Sequence, residues 1–584
     1  MERLVSDTYL VRLLEGISSL HAQKALCDVT LEAEGVCFPA HKIILASASN
    51  YCKILFVGNL TRVGSLDHNI HLKAISAAGL RNVLNFIYSN KLDLSLQNIE
   101  ETFKAAETLL VREVIKLCFK FLEGCLNCEN CMDVLNIAKK LGLAELRQKA
   151  TCYVGQNYKQ ILADPQCLKD LDRGTLCEIL DRTNTEGCSE LELFRAAVNW
   201  LQHDRTRLED AADILRRIRF PLIPLQDLQE FVQEIPFMKL DSGCHRHLQE
   251  ALTYQSLLYA QPLLQTQCTS LRSSSTTLLI AGGRTIDNCI CREMWAADKS
   301  CSTWYKVGDL RVPLYNHCVA IISDFLFVIG GQCKFDPMGK QPSNEVFRFD
   351  PRNTSWLQVA SMLEQRTRFH ADVLSDHIFS VGGGTLLGTL TRTVESYQPA
   401  DNKWEFAAPF PVPIADHAGT VHKGVLYISA GKTLRDTYSY LPHLQRWTSN
   451  SAMTFTRCDH GMATVKDRIF CIGGRTLKGV SSFVLVTPIL FQNGVSVLGC
   501  QFSITACESM LYLTGGGSLH DMQKEDSVFM YDIEGQVWKK AGSLPKALVD
   551  HASCMIKLSQ VNATGEPGRG PQWLKNFTRI SLKR

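Results

Sequence analysis

LFVIGG, residues 326–331, is a short apolar run closed by two glycines, and the C-terminal half of the chain repeats it. LLIAGG ends at Gly283, IFSVGG at Gly383, IFCIGG at Gly474 and LYLTGG at Gly516; LYISAG, ending at Gly431, is a degenerate copy. Six copies at intervals of 42 to 52 residues point to a repeat architecture before any local structure is assigned. Behind most copies runs a second apolar stretch ending near Asp or Pro: VFRFDP (346–351), VESYQP (394–399) and VFMYD (528–532). A tryptophan follows in five of them, Trp304, Trp356, Trp404, Trp447 and Trp538. The fifth copy lacks it, and FVLVTP (483–488) runs into an atypical LFQNGVSV.

Each unit has room for four short strands. One sheet of that size cannot bury both faces, so the units must stack around an axis. Paired glycines let the innermost strands turn where backbones crowd, and each Trp supplies an apolar plate against the neighbouring blade. A β-sandwich has no reason to repeat Gly-Gly and Trp at one period. A strand led by His precedes most glycine pairs, at His317, His370, His417 and His460. Only the Ser-rich LRSSSTT (271–277) precedes LLIAGG, while a spare His-led strand, HASCMI from His551, follows the last Trp. The end of the chain is therefore expected to complete the first blade and remove an open sheet edge.

Gly-Gly, the Tyr-Asp-Pro-like strand and the Trp at this period resemble the Kelch repeat family over about residues 276–557, with blades four and five degenerate. The N-terminal half reads differently. In LCDVTLEAEGVCFPAHKIILASASNYCKILF (26–56), CDVTLEA alternates apolar and polar residues as a strand, Glu34-Gly35 is a turn, and HKIILASAS begins a helix. ISAAGLRNVLNFIYSNKLDL (75–94) predicts an amphipathic helix leading into a short strand, and residues 99–126 carry apolar residues at helical spacing. Asp28, His41-Lys42, Tyr51 and Tyr88 in FIYS resemble the BTB (POZ) domain. That resemblance implies a homodimer swapped through an N-terminal helix at about residues 7–23. From Asn130 the period is helical; Trp200 with QHDR (202–205) and ILRRIRFPLIP (214–224) resemble the BACK domain.

Taken in order, these resemblances predict a multidomain chain: an α/β BTB domain (1–124), an all-α BACK domain (125–270), an all-β six-bladed Kelch propeller (276–557) and a disordered tail (558–584). They imply a non-catalytic cullin-3 substrate adaptor that holds an unidentified protein substrate on the propeller. A non-ligase dimeric scaffold bridging cytoskeletal or regulatory proteins is the alternative. The implied partner face has two loop sets: Arg284, Gln332, Gly384, Lys432, Arg475 and Gly517 after the glycine pairs, and Asn316, Phe369, Asp416, Asp459 and Asp550 before the His-led strands. Arginine can pair bidentately with carboxylate or phosphate, but three aspartates on this face compete for it. Family adaptors present a hydrophobic residue, any residue and Glu after a buried helix. Here the matching positions are Leu60, Thr61 and Arg62, so the anchor is kept and the acid becomes a base, which predicts a weakened cullin contact.

Composition excludes other classes. Net charge is +3 over 584 residues, which gives no field for nucleic acid or an anionic membrane. The N-terminus lacks a signal-peptide pattern, and no run approaches the length of a membrane span. The 23 cysteines are spread through a long chain, many within apolar strands, which fits free thiols in the cytoplasm or nucleus. Cys125, Cys128 and Cys131 have C-x-x-C-x-x-C spacing but no fourth ligand at matching spacing, so structural thiols are the reading, with a redox sensor as the minority one. One histidine per blade describes a ring rather than a tetrahedral metal site. No nucleophile elbow, P-loop or H-E-x-x-H occurs, and no cofactor or catalytic residue is expected.

Overall fold

The computed structural model describes residues 8–57, 69–157, 161, 167, 171–181, 189–272, 276–298, 300–429, 431, 434–453, 456–475, 484–485, 501–517 and 526–558. They fall into two compact units, one within residues 1–182 and 195–208, the other within 183–194 and 209–584. Leu558, where the expected tail began, is buried in the propeller core; residues 559–584 and the Leu60–Arg62 anchor lie outside the described residues.

In the first unit, Val29–Ala33 pairs antiparallel with Val36–Ala40, Leu31 opposite Phe38. Glu34 and Gly35 both have positive φ, 50° and 77°, the condition for the tight turn whose twist suits a hairpin. Val29, Leu31 and Ala33 are buried and the residues between them are not, as the alternation in CDVTLEA predicts. Asn69–His71 joins Val29–Ala33 in parallel, a strand the pattern did not reveal. Behind this sheet the residues of the BTB resemblance acquire a physical role. Asp28 Oδ1 accepts from the N–H of Lys42 at 2.7 Å, opening the helix Lys42–Ala48. The His41 N–H donates to the Tyr88 hydroxyl at 2.9 Å, and His41 Nδ1 lies 3.0 Å from the same oxygen. Both side chains are buried, so the bonds satisfy polar groups that water cannot reach.

One expectation needs correction, and the helical spacing of residues 99–126 is borne out. The helix Ala77–Ser89 ends at Asn90, which has a φ of 55°, but LDL (92–94) forms no strand: no neighbouring sheet edge meets its backbone among the described residues. Residues 99–126 form two helices, Ile99–Thr108 and Arg112–Gly124, separated by Leu110 at a φ of 54°. Left-handed backbone at a leucine cannot continue a right-handed helix. Helix Tyr9–Ala22 has no buried residue; His21 stacks on the Tyr88 ring with centroids 3.7 Å apart. Further on, Cys131 opens the helix Cys131–Lys140 and is buried, which raises its thiol pKa. Trp200 donates from Nε1 to the Leu171 carbonyl at 2.7 Å and carries the Arg207 guanidinium on its face.

In the second unit, Glu190 and Arg272 form a buried bidentate pair, at 2.6 and 3.0 Å, and the Arg219 N–H donates to the same carboxylate. The rest of this unit is dominated by six sheets. Five have four strands, and the fifth blade has three described strands, Gly461–Val465, Arg468–Ile472 and Val484–Leu485. The first sheet runs in the order Ala552–Lys557, Thr276–Ala281, Glu293–Ala297, Trp304–Asp309. Ile556 stands opposite Thr277 and Ala552 opposite Ala281, so the end of the repeat region closes the ring as expected. Innermost strands contact their neighbours all the way round, the closing strand touching both the second and the sixth blades.

The core lies between blades. Trp404 of the third blade packs among Ile322, Phe327 and Val359 of the second and donates to the Ala360 carbonyl at 2.8 Å. Trp447 makes the same bond to Ala408 of the third blade, at 2.9 Å. Trp404 and Trp447 thus plug the gap to the preceding blade, and their indole N–H groups satisfy the loop that crosses there. The paired glycines have an equally local cause. Gly330 and Gly331 have φ of 57° and 87°, and a Cβ on Gly331 would stand 2.6 Å from the His317 Cβ. The histidine fills the space that the missing side chain leaves. Arg348 of the second blade reaches out to the Leu258 carbonyl and Gln261, and the Arg352–Asp350 pair holds the Tyr254 hydroxyl.

Candidate functional site

Loops at one end of each blade carry the expected partner-binding residues, and their geometry begins with the backbone. Six residues, each two positions before an innermost strand, have positive φ: Asn316 (51°), Arg368 (55°), Asp416 (55°), Asp459 (54°), Gln501 (61°) and Asp550 (54°). Each donates its N–H to the carbonyl of its counterpart in the preceding blade, over 3.0 to 3.4 Å. Asn316 donates to Asp550, Arg368 to Asn316, Asp416 to Arg368, Asp459 to Asp416, Gln501 to Asp459 and Asp550 to Gln501. The bonds form a closed ring of six. Asn and Asp tolerate the left-handed region best, which explains why four of the six are of that type.

This ring corrects the sequence reading at one position and extends it at another. Phe369 is buried, not at the loop tip: it occupies the place that His317, His460 and His551 take in other blades, 2.8 Å from the position of a Cβ on Gly383. The tip belongs to Arg368. Reading His370 as the leading histidine shifted that blade by one residue, and only the packing against Gly383 reveals the shift. Gln501 was missed because no histidine follows it. Lys432 lies outside the described residues.

Three arginines at this end each meet an aspartate of the ring. Arg284 Nε donates to Asp550 Oδ2 at 2.6 Å, Arg368 Nη1 lies 3.3 Å from Asp416 Oδ2, and Arg475 pairs with Asp459. The competition expected from the sequence is therefore realised inside the molecule. Burial raises the Asp416 carboxyl to about 6, with Asp459 adding repulsion and Arg368 opposing it. Gln332 is buried; its amide donates to the Asp336 carbonyl at 3.3 Å and accepts from the Thr367 hydroxyl at 3.1 Å. It ties two loops together and presents little of itself outward. Gly384 bridges to Thr367 in the same way, through the backbone.

The histidines behind the ring are neutral. Burial holds His317 down at about 4 and His417, His460 and His551 at about 3. His460 Nε2 lies 2.6 Å from the Ser429 hydroxyl and His551 Nε2 lies 2.8 Å from that of Thr514, so these rings serve packing and strand-end bonding. Among the described residues, no group of three or more His, Cys, Asp or Glu is placed to hold a metal ion. The Cys125–Cys131 segment is occupied locally: Cys131 Sγ donates to the Cys128 carbonyl, and Cys128 Sγ lies 3.5 Å from the Tyr153 hydroxyl. No described helix is long and apolar enough to cross a membrane.

A closed ring of Gly-Gly blades, with its chemistry confined to loops that can grip another molecule, defines a Kelch-type propeller, a binding module. The remaining modules place it more narrowly. Residues 17–126 match the BTB/POZ domain, 131–233 the BTB And C-terminal Kelch domain, and 266–474 the KLHDC2/KLHL20/DRC7 Kelch-repeats domain. The chain is 36% identical to Kelch-like protein 9 of Mus musculus over 394 residues, which is 67% of this chain and 63% of that protein. It is 33% identical to Kelch-like protein 26 of Homo sapiens, over 73% of this chain and 69% of that protein. With Kelch-like protein 26 of Danio rerio it shares 29% identity over 94% of this chain and 93% of that one. The chain belongs to the BTB–BACK–Kelch, or kelch-like, family, whose members are generally non-catalytic adaptors that bind other proteins. Its matches to Kelch-like protein 9 of Mus musculus and to Kelch-like protein 13 of Bos taurus and Homo sapiens span 59 to 63% of those proteins' length.

Proposed function

We propose that this chain is a substrate-recognition adaptor of a cullin-3 ubiquitin ligase, working as a homodimer in the cytoplasm or nucleus. The observation that carries this reading is the order of its modules: a BTB domain, a BACK domain and a propeller whose loops converge at one end. In this reading the BTB domain holds the cullin through Leu60, and the propeller holds a protein substrate near Arg284, Asn316, Gln332, Arg368, Asp416, Lys432, Asp459, Arg475 and Asp550. Two propellers on one dimer raise the effective concentration of a second contact once the first has formed. No residue of the chain performs chemistry on the substrate.

One residue favours a second reading, a non-ligase dimeric scaffold: Arg62 stands where adaptors of this family present Glu. Calorimetry of the full chain against the cullin-3 N-terminal domain separates the two, using wild type, Arg62→Glu and Leu60→Asp. Binding by wild type that Leu60→Asp abolishes supports the adaptor. Replacing the base with an acid should tighten that contact by roughly ten- to hundredfold. If neither wild type nor Arg62→Glu binds while the dimer stays intact, the scaffold reading stands.

A further inference from the structure

The three loops that follow the glycine pairs of the first, second and third blades share a feature the charged residues obscure. Ile286, Phe335, Met338, Leu386, Leu387 and Leu390 lie on them, and all are 43 to 75% exposed. The loops touch. Leu387 donates its N–H to the Lys340 carbonyl at 3.1 Å, joining the second and third. The Arg284 guanidinium lies 5.3 Å from the centre of the Phe335 ring, joining the first and second. At roughly 200 Å² for a fully exposed large apolar side chain, these fractions leave roughly 600–700 Å² of apolar surface. That is at or beyond the largest patch usual on a monomer, about 300–600 Å², and near the roughly 800 Å² that one partner contributes to a standard interface.

Held loops, not loose ones, carry these side chains. The Asp336 carboxylate accepts from the N–H groups of Met338 and Lys340, at 2.9 and 2.7 Å, and the Asp336 N–H donates to the Tyr315 hydroxyl at 3.0 Å. In the third loop, Thr385 donates its N–H to the Thr389 carbonyl at 2.7 Å. Leu387 has a φ of 65°, a conformation that costs a leucine free energy and that its neighbours must hold in place. A rigid loop that spends strain to point leucine at solvent has the form of a binding site set before its partner arrives.

Charge distinguishes the kind of partner. Arg284 and Arg368 are already neutralised by Asp550 and Asp416. Asp336 is engaged by its own loop, and Lys334 and Lys340 on that loop are exposed and make no ion pair among the described residues. Two lysines with Asp287 nearby do not make the basic excess that an anionic lipid surface requires. We infer that the loops of blades one to three bind a protein segment that inserts leucine- or phenylalanine-type side chains and carries acidic residues facing Lys334 and Lys340. This inference rests on the adaptor reading only in assuming that the propeller end is the recognition face. It names a different substrate chemistry from an acidic motif clamped by arginines.

The test selects a random dodecapeptide display library on the immobilised full chain, then measures the enriched peptides by fluorescence anisotropy. Peptides combining large apolar residues with Asp or Glu are expected. Leu387→Gly, which suits the positive φ and so keeps the fold, paired with Met338→Asp, should weaken them at least tenfold. Lys334→Glu with Lys340→Glu should weaken acid-flanked peptides and favour base-flanked ones. Enrichment of peptides without apolar residues, no enrichment, or equal affinity for the Leu387→Gly/Met338→Asp chain overturns the inference. Co-sedimentation with phosphatidylserine vesicles that the same variant abolishes would overturn it in favour of a lipid surface. Cullin binding, read separately by calorimetry, is untouched by any of these results.

Discussion

Ending the chain after Val549 should cost the propeller far more than ending it after Leu558. The first truncation removes Ala552–Lys557, which pairs along its whole length with Thr276–Ala281, and with it the buried side chains Ala552, Cys554, Ile556 and Leu558. It also removes Asp550, leaving the Arg284 guanidinium without that partner. Ile556 is fully buried among Leu279, Met294, Leu310, Leu326 and Phe349, so truncating it alone to Ala should cost about 2–5 kcal/mol. At roughly 2–4 °C per kcal/mol for a domain of this size, Ile556→Ala lowers the melting temperature by roughly 4–20 °C. Losing the whole strand adds the other buried groups, an unpaired inner strand and a broken ring, for a total on the order of 10 kcal/mol. That approaches the entire stability of an ordinary domain, so the propeller of the 1–549 chain should unfold near room temperature. Scanning calorimetry of the full chain, 1–558, 1–549 and Ile556→Ala measures the series. If 1–549 melts within about 2 °C of 1–558, the closing strand is not part of the first blade and the reasoning fails.

Two further outcomes are expected. Leu10→Asp with Leu13→Asp should turn a dimeric full chain into a monomer by light scattering, because the helix Tyr9–Ala22 buries no residue of its own and exposes Tyr9, Leu10, Val11 and Leu13; a dimer in both proteins would refute the placement of the interface. The Asp416 carboxyl, raised by burial to about 6, holds an extra proton in the folded state between roughly pH 4 and 6. Its contribution is therefore full below about pH 4 and is lost as pH rises through 6, a change of about 3 kcal/mol for a shift of about two units. Against Asp416→Asn, wild type should lose melting temperature over that window, and parallel profiles would show that the carboxyl is not displaced.

What could be read from the sequence was local and periodic. A glycine pair, a tryptophan and a leading histidine each answer to contacts within a blade or with its immediate neighbour, so the same requirement writes the same letters in most blades. Ring closure was legible for the same reason: a spare HASCMI and a missing first strand are two halves of one repeat. Asp28, His41 and Tyr88 could be recognised as a pattern, but the pattern did not say that a histidine N–H and a buried phenol satisfy each other. The third strand of that sheet, Asn69–His71, is too short for any alternation to mark it.

Tertiary structure decided the arrangement of the loop end of the propeller. Arg284 meets Asp550 across 266 residues of chain, and no local pattern ranks that partner above Asp416 or Asp459. One residue of register separates Phe369 as a tip from Phe369 as core, and the choice is made by the space above Gly383. Leu386 and Leu387, an apolar doublet that composition alone assigns to the interior, stand outside because the loop closes on Thr385–Thr389 and on the carbonyl of Lys340. Burial belongs to a three-dimensional neighbourhood, so which arginine is neutralised and which leucine faces water had to wait for the ring to close.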